Sequence, residues 1–566
     1  MKSTRTDRAR EAATHKGVMH LALLPFLVFS CVCTTARGQT PVELVTDAPE
    51  TRVTFLETGR MHVAVTSADA QAWRVKGHLR YSDLGAVGDG ETDDIDAIVA
   101  AHAVANRLNL PVQADEDAAY YISGKDRTAA VQTDTDFGSA SFIIDDTAVQ
   151  NRHAHVFLVT SRLEAFEPEG VTSLTRNQER IDAALPGPSL IRVTDANVRR
   201  YIRKGANQNQ GAPQTDIFIV DQDGYVDMDA PIIWDFDQIT DITAWPIDPG
   251  TLTLTGGRFT TIANRDESRY NYYRRGVGIR RSNVEVDEME HRVIGEGDQG
   301  APYGGFIDIG DCAQVTVKNT LLTGRKTYIT VGSAGVDVPM GSYDINVHRA
   351  INVSFVNVRQ TNDINDRTYW GIMGSNYSKN LLFDRCVLSR FDAHMGVANA
   401  TIRHSTLGHQ GINAIGTGTF LVEHSTIHGR SLIALRSDYG STWQGDLVIR
   451  DCVFAPFAGH PVGEVSLIAG SNSGRHDFGY TCYMPERVVI ENLRIDDARH
   501  HAGYRGPAVF ANFNPQMTDG TYQETFPHVR PRAVTLRNVA TASSKPLRFS
   551  DNPFLFKDVN VSGLDD

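Results

Sequence analysis

The sequence predicts an all-β fold, a single-stranded right-handed parallel β-helix, because short apolar segments repeat along its second half. Between Lys379 and Arg450 four segments share the order apolar, charged, polar, small, any, apolar; they begin at Leu381, Thr401, Leu421 and Leu447. Similar segments begin at Val317, Phe355, Val489 and Thr535. Such repeats are typical of solenoids, because a single rung cannot bury its apolar face alone.

Each repeated segment is rich in Val, Ile, Leu and Thr and has Gly or Asn at its ends, which favours a strand over a helix. Its third position is polar or charged in all eight cases: Asn319, Asn357, Arg385, His404, His424, Asp451, Asn492 and Asn538. We interpret His404 and His424 as members of this polar ladder, hydrogen-bonded between rungs, and not as site residues.

The position after the ladder holds small or apolar residues, which suit the inside of a coil. Cys386 and Cys452 occupy this column three rungs apart. At about 4.8 Å per rung they are roughly 14 Å apart, which is beyond the reach of a disulfide. We therefore predict two buried thiols and no disulfide framework.

Residues 1–38 have the features of a signal peptide. Basic residues precede an apolar run that begins at Leu21, and small residues around Ala36 and Gly38 form a cleavage site before Gln39. The apolar run is too short to span a membrane. A lipid anchor at Cys31 is disfavoured because Phe29 fits that signal poorly. We expect a secreted or periplasmic protein with no membrane span.

Charge narrows the class of partner. The net charge of −13 argues against nucleic acid and anionic membranes. From Ile345 to Arg450, however, there are ten Lys or Arg and seven Asp or Glu, a local charge of +3 (10 − 7). We expect the repeat region to bind an acidic polysaccharide, with no nucleic-acid partner, and we expect a monomer.

The N-terminal half is less regular. We predict an N-terminal β segment at 39–80, a second region at 81–250 that contains the first rungs and a sizeable insertion, and the main β-helix at 251–566. In the second region a turn-rich loop precedes Thr92, a good helix N-cap. Apolar residues on one face then predict a helix that covers the open end of the coil: Ile95, Ile98, Val99 and Ala105.

The stretch from Tyr81 to Ser123, with YYIS at Tyr120, resembles the N-terminal motif of the pectate-lyase superfamily of right-handed β-helix proteins. The resemblance implies the fold and a polysaccharide ligand, but it does not select one activity, because that group includes several enzyme classes and pure binding proteins. For the aromatic and arginine-rich stretch from Arg265, two readings stay open: a polysaccharide-binding wall, or a solvated loop.

Candidate site residues follow neighbouring strands of the repeat region, where a strand meets its loop. Cleavage of a uronate polymer by β-elimination needs a neutralised carboxylate, a base for the C5 proton and a proton donor for the leaving oxygen. Imidazole and phenol groups suit the last two tasks. The predicted catalytic residues are His394, His409, Arg436 and Tyr439. The predicted substrate-binding residues are Arg390, Asp392, Asn413, Arg430 and Asp438.

Two other functions remain open. Hydrolysis calls for two carboxylic acids, and Asp392 with Asp438 is the obvious pair; the segment LGHQGI from Leu407 is faintly similar to a Gly-His-Gly element of polygalacturonases, without that family's paired aspartates. The third possibility is a glycan-binding protein without catalysis. We predict no cofactor and no metal, and the sequence gives no support for calcium because it has no acidic cluster on successive rungs.

Overall fold

The structure is a computed structural model that describes residues 39–56 and 60–564. The predicted signal peptide at 1–38, with its cleavage site and Cys31, lies outside the described residues. Within them, no helix is both long and apolar enough to cross a membrane.

The N-terminal segment is a small sheet followed by a helix. Strand β3 (Met61–Val65) lies between β1 (Val42–Thr46), which runs parallel to it, and β2 (Arg52–Phe55), which runs antiparallel. Helix α1 (Ser67–Lys76) follows and was not predicted. It buries only Ala70 and Trp73, so its sequence has no apolar stripe long enough to indicate a helix.

Helix α2 (Ile95–Leu108) lies among the first rungs, and its presence confirms the predicted helix. Thr92 is not its N-cap, however, because Thr92 belongs to β5, and Asp94 occupies the cap position instead. The Asp94 carboxylate accepts hydrogen bonds from the backbone N–H groups of Val87 and Gly88 at 2.6 and 3.0 Å. It therefore fixes the preceding loop, while the role of α2 as a cover for the coil end stays a prediction. The elements of this region are β4 (Leu79–Arg80), a 3₁₀ helix (Ser82–Leu84), β5 (Asp89–Asp93), β6 (Val112–Gln113), β7 (Ala119–Ile122), β8 (Ala129–Val131), β9 (Thr135–Asp145) and β10 (Phe157–Thr160).

An insertion after β10 forms a separate antiparallel sheet. Its strands are β11 (Ser189–Arg200), β12 (Ala212–Val220) and β13 (Asp241–Pro246), with β11 in the centre. The insertion has its own apolar core, which includes Ile191, Phe218 and Phe236. A buried ion pair at 2.8 Å between Asp216 of β12 and Lys379 of the coil attaches the insertion to the repeat region.

The other strands continue the coil in chain order, apart from three two-stranded ribbons formed by β20 with β25, β21 with β22, and β34 with β37. These strands are β14 (Leu252–Ile262), β15 (Val277–Arg280), β16 (Val284–Asp287), β17 (Glu290–Ile294), β18 (Gly304–Lys318), β19 (Leu321–Leu322), β20 (Arg325–Lys326), β21 (Tyr328–Val331), β22 (Asp337–Met340), β23 (Tyr343–Val356), β24 (Arg359–Gln360), β25 (Tyr369–Gly371), β26 (Met373–Asp384), β27 (Val387–Arg403), β28 (Thr406–Ala414), β29 (Gly416–Glu423), β30 (Thr426–Ile427), β31 (Ser431–Leu435), β32 (Trp443–Phe454), β33 (Ser466–Ala469), β34 (Cys482–Tyr483), β35 (Arg487–Ile495), β36 (Ala508–Phe510), β37 (His528–Val529), β38 (Ala533–Thr541) and β39 (Asn560–Ser562). Two further 3₁₀ helices are Ser437–Tyr439 and Pro456–Gly459.

The main sheet is a parallel coil, and one column of paired residues runs through most of its length. Every member of the column is buried: Leu252, Val284, Val315, Val353, Leu381, Ala400, Phe420, Leu447, Val488 and Val534. This continuous apolar column confirms the predicted stacking of repeated segments into one core. The right-handed sense of the coil stays a prediction.

The eight ladder positions all adopt the left-handed backbone conformation, with φ between 47° and 55°. Asparagine tolerates this conformation better than most residues. Its amide also bonds to the next rung: Asn357 donates to Asn319 at 2.9 Å, and Asn538 donates to Asn492 at 2.9 Å. His404 and His424 stand in the same ladder, but their rings stack at 5.0 Å between centroids instead of hydrogen bonding.

The cysteines agree with the prediction. Cys386 and Cys452 are buried and carry free thiols. The same is true of Cys312 and Cys482. Burial raises the pKa of the Cys386 thiol to about 12, which keeps it protonated and unreactive.

Candidate functional site

Strand β27 presents three predicted site residues on the outer face of the coil. Phe391 and Ala393 point into the apolar core. Because side chains alternate along a strand, Asp392 between them points outward. Arg390 and His394, two residues to either side, share that face. In the next rung Asn413 of β28 is the direct partner of Asp392.

A chain of ion pairs connects this face to the loop after β31. Arg390 pairs with Asp392 at 2.7 Å, and Arg436 reaches the other oxygen of Asp392 at 3.1 Å. Arg436 also donates to both oxygens of Asp438 at 3.2 and 2.8 Å. Arg203, from the insertion, pairs with Asp438 at 2.8 Å. One guanidinium group, that of Arg436, therefore bridges the two carboxylates.

These contacts decide the charge of both carboxyl groups. Burial alone would raise the pKa of Asp392, but the neighbouring Arg390 and Arg436 outweigh it and hold that pKa below its ordinary value. Burial of Asp438 is likewise outweighed, by Arg436 and Arg203, so its pKa is also lowered. Both groups are ionised at neutral pH, and neither can supply the proton that a hydrolase needs from its acid.

His394 and Tyr439 form a hydrogen-bonded pair beside these carboxylates. Nδ1 of His394 lies 3.1 Å from the side-chain oxygen of Asn376. Since an amide oxygen only accepts, Nδ1 carries the imidazole proton. Nε2 is then the acceptor for the Tyr439 hydroxyl, which lies 3.3 Å away. Asn376 thus fixes the tautomer that leaves a lone pair on Nε2.

The surroundings keep this pair neutral. Burial, assisted by the positive charge of Arg436, lowers the pKa of His394 to about 3. Burial raises the pKa of Tyr439 to about 12, although the guanidinium groups of Arg203 and Arg436 oppose that rise. Their central carbons lie 5.4 and 5.5 Å from the centre of the Tyr439 ring. At neutral pH the pair consists of an unprotonated imidazole nitrogen and a protonated phenol.

The connection between β11 and β12 completes the site, and this was not predicted from the sequence. Tyr201 packs on the Tyr439 ring at 6.2 Å between centroids. The backbone N–H of Lys204 donates to the carbonyl oxygen of Asp438 at 2.9 Å. The available signal was the basic dipeptide Arg203-Lys204 beside Gly205, but nothing in the sequence connects it to rungs more than 180 residues later.

An open cleft lies beside this cluster and encloses about 470 Å³, a volume within the usual range for ligand sites. Its charged lining residues are Arg203, Lys204 and Asp438, and an aromatic side chain comes from Trp370. The other lining residues are mostly small, polar or apolar: Gly205, Ala206, Asn207, Val338, Pro339, Ser437, Ser471, Asn472, Ser473 and Phe478. Tyr439 does not line the cleft and is only 2% exposed.

Three predicted residues contact other groups, although Asn413 lies beside Asp392 in the sheet. Nδ1 of His409 bonds to the carbonyl oxygen of Ile364 at 3.0 Å, so this histidine holds a loop. Asn413 donates to the carbonyl oxygen of Gln410 at 3.0 Å. Arg430 is exposed, and its guanidinium group lies 5.9 Å from the Phe457 ring. The structure thus brings together six predicted residues: Arg390, Asp392, His394, Arg436, Asp438 and Tyr439.

The loop that begins at Arg265 combines both readings that the sequence allowed. Tyr273 is buried, and Arg275 forms a buried ion pair with Asp146 at 3.1 Å, so these residues pack on the coil. Tyr270, in contrast, is 37% exposed, and its hydroxyl accepts a hydrogen bond from Asn207 of the insertion. Tyr270 is therefore accessible from solvent, whereas Tyr273 and Arg275 are not.

No group of three or more metal-binding side chains comes together within residues 39–56 and 60–564. The carboxylates of the N-terminal loop bind protein groups instead. Asp93 accepts hydrogen bonds from Ser123 and pairs with Lys125 at 2.8 Å. Asp89 accepts hydrogen bonds from Thr92 and Glu91.

Comparisons with known proteins give one local sequence match and several distant structural ones. No family model matches the chain. A capsule KL64-specific depolymerase of a Klebsiella phage is 31% identical in an alignment 147 residues long, which covers 22% of this chain and 14% of the relative. The chain therefore spans only a small part of that relative.

Among solved structures, the tailspike gp61 of Pseudomonas phage phi297 has 12% identity and a TM-score of 0.49, covering 86% of this chain and 84% of that one. The tailspike gp49 of Pseudomonas phage LKA1 has 14% identity and a TM-score of 0.45, covering 83% and 84%. A polygalacturonase of Erwinia carotovora has 10% identity and a TM-score of 0.30, covering 84% and 94%. With such low scores, the fold assignment rests on the strand pairing described above.

Proposed function

We propose that the protein is an exported polysaccharide-degrading enzyme that cleaves a uronate-containing chain by β-elimination. The observation that carries this proposal is the pair formed by His394 and Tyr439, an unprotonated imidazole nitrogen 3.3 Å from a protonated phenol. Elimination needs one group to take a proton and another to give one. The pair offers both at one place, beside an open cleft.

In the proposed reaction His394 is the base and Tyr439 is the acid. When substrate binds, the Tyr439 hydroxyl donates to the glycosidic oxygen at C4 instead of to His394, which frees the lone pair on Nε2. Nε2 takes the C5 proton, the C5–H electrons form the C4–C5 double bond, and the C4–O bond breaks. Tyr439 gives its proton to the leaving oxygen. Transfer of the new proton from Nε2 to the Tyr439 oxygen, 3.3 Å away in the resting site, restores both groups.

Charge supports an acidic substrate. Four cationic side chains meet at the site, Arg203, Lys204, Arg390 and Arg436, against the two carboxylates Asp392 and Asp438, so the local balance is +2 (4 − 2). A uronate carboxylate entering the cleft would meet a positive potential, which lowers the cost of the carbanion-like charge that develops in elimination. The name of the phage relative, a capsule depolymerase, also supports a polysaccharide substrate.

Two other functions compete with this proposal. Hydrolysis by Asp392 and Asp438 is disfavoured because both carboxylates are held ionised by arginine. A glycan-binding protein without catalysis is favoured by one observation, the 2% exposure of Tyr439. Elimination requires the Tyr201–Lys204 segment to move so that substrate reaches this hydroxyl.

Ultraviolet absorbance tests the proposal, because elimination creates an unsaturated uronate. We would incubate the mature protein with pectate, alginate, chondroitin and dermatan sulfates, hyaluronan and heparan sulfate, each with and without a chelator. For the polymer that is cleaved, we expect Tyr439→Phe to lower kcat by about 10²–10⁴-fold, the usual contribution of a proton-transferring group. His394→Asn should have a similar effect.

His409→Asn is the matched control, since the His409 imidazole bonds to the carbonyl oxygen of Ile364 and not to the Tyr439 hydroxyl. It should retain most of the activity. If His409→Asn loses activity and His394→Asn retains it, the base is His409 and not His394. Release of reducing ends without any absorbance change would favour hydrolysis, and no cleavage of any polymer would favour the binding protein.

A further inference from the structure

Two loops that both line the cleft also contact each other. One is the insertion loop at 204–209, and the other is the hairpin of β21 and β22, whose tip is 332–336. The backbone N–H of Ala334 donates to the carbonyl oxygen of Ala206 at 3.0 Å. The Ser333 hydroxyl donates to the carbonyl oxygen of Gln208 at 2.7 Å. Both loops also line the cleft, through Ala206 and Asn207 on one side and Val338 and Pro339 on the other.

The hairpin is buried at its base and exposed at its tip, where few contacts hold it. Tyr328 and Met340, which pair at the base, are buried. At the tip, residues 333–337 are all exposed, and so is Gln208 on the opposing loop. Two exposed hydrogen bonds are a small barrier to separation, worth about tenfold to a hundredfold in the equilibrium between joined and separated loops.

Gly332 makes the close approach possible. A Cβ atom at this position would lie 2.6 Å from the carbonyl oxygen of Ala206 and 2.6 Å from the side-chain oxygen of Asn207. Contacts this short do not occur between real atoms, so any larger residue at 332 must push the insertion loop away. The meeting of the two loops therefore depends on a specific glycine.

We propose that loop 204–209 and the hairpin tip form a strap that opens to admit an internal segment of a linear glycan chain and then closes over it. The proposal rests on the proposed polysaccharide function and adds the mode of action: the protein binds its polymer in mid-chain and acts as an endo-enzyme. A strap that never opened would instead admit only chain ends.

Amide hydrogen exchange on the free protein tests the strap without any glycan. We expect peptides covering 203–210 and 330–337 to exchange about tenfold more slowly in the wild type than in Gly332→Val, in which the added side chain separates the loops. Val336→Ile enlarges a side chain that is 50% exposed at the same tip and should exchange like the wild type. Unchanged exchange in the β27 and β32 peptides verifies that each variant is folded.

Equal exchange of the two loop peptides in wild type and Gly332→Val would overturn the strap, whether or not any polymer is cleaved. For the polymer that the absorbance panel identifies, viscosity should fall early relative to the number of new ends, as mid-chain cleavage requires. Gly332→Val should raise KM several-fold with little change in kcat, because the opened strap retains the chain poorly. Release of short fragments from chain ends by the wild type, or an unchanged KM in Gly332→Val, would contradict the proposal.

Discussion

The ion pair between Lys379 and Asp216 offers a quantitative test of how the insertion is held on the coil. Both side chains are only 2% exposed, and the charged atoms are 2.8 Å apart. The Asp216 carboxylate also accepts backbone hydrogen bonds from Ile217 and Ile233, at 2.8 and 2.7 Å. Replacing Lys379 by methionine would leave this carboxylate buried without its cation.

Breaking a buried pair from one side costs about 3–5 kcal/mol, mainly because the remaining charge is uncompensated. The two backbone bonds to Asp216 remain, so we expect Lys379→Met to fall near the lower end, about 3 kcal/mol. The double variant Lys379→Met with Asp216→Asn removes the stranded charge and should regain part of that loss. Recovery is incomplete because the two backbone N–H groups donate to different oxygens of Asp216, whereas the asparagine amide has a single acceptor oxygen.

Urea unfolding followed by tryptophan fluorescence measures these differences, since Trp234 and Trp245 both lie in the insertion. Lys318→Met is the matched control, because Lys318 forms a more exposed ion pair with Glu285 at 2.9 Å, and such pairs contribute about 1 kcal/mol or less. A loss below about 1 kcal/mol in Lys379→Met, or equal losses in the single and double variants, would refute the reasoning.

Two further predictions concern acid sensitivity and the ladder. Burial lowers the pKa of four histidines to about 3 or 4, namely His102, His348, His394 and His528. As the pH falls, these histidines become protonated in the unfolded chain, near pH 6.5, before they do so in the folded protein. The free energy of unfolding should therefore be at its full value above about pH 6.5 and fall toward pH 4, by about 1.4 kcal/mol per pH unit for each histidine. Melting temperatures that stay constant between pH 7 and 5 would contradict this. In the ladder, Asn492→Ala should lower the free energy of unfolding by about 1–3 kcal/mol, through lost hydrogen bonds and the strain of alanine at φ 53°. Asn492→Gly should cost less because glycine is not strained there, and equal urea midpoints for the two variants would show that backbone strain contributes nothing.

The repeat region of this protein could be read from the sequence because its periodicity reflects a local repeat. Each of the eight repeated segments places a polar or charged residue at the same left-handed backbone position. Asn319 and Asn538 are therefore both left-handed ladder residues although 219 residues separate them (538 − 319). The same regularity predicted that Cys386 and Cys452 are buried apart from each other. A second ladder, in which Asn399 donates to Asn380 and Asn380 to Asn352, follows the same rule and was visible in principle.

The sequence indicated candidate residues for the site but not which of them come into contact. Polar residues at predicted strand ends indicated both His394 and His409 as candidates, and nothing in the sequence distinguished them; both lie within strands, in β27 and β28. The two histidines differ in the partners that other segments supply. His394 contacts Asn376 and Tyr439, whereas His409 contacts the carbonyl oxygen of Ile364.

Tertiary structure alone decided which part of the insertion reaches the site. Arg203 pairs with Asp438 across 235 residues of sequence (438 − 203), and no periodicity connects them, because the insertion folds around its own core and meets the coil through contacts that do not repeat, such as the ion pair of Lys379 with Asp216. The sequence by itself determined the coil, its core and its ladders, since each depends on contacts that recur from rung to rung. The charge state of the carboxylates, the pairing of His394 with Tyr439 and the strap over the cleft depend on contacts made once, between segments whose spacing carries no signal.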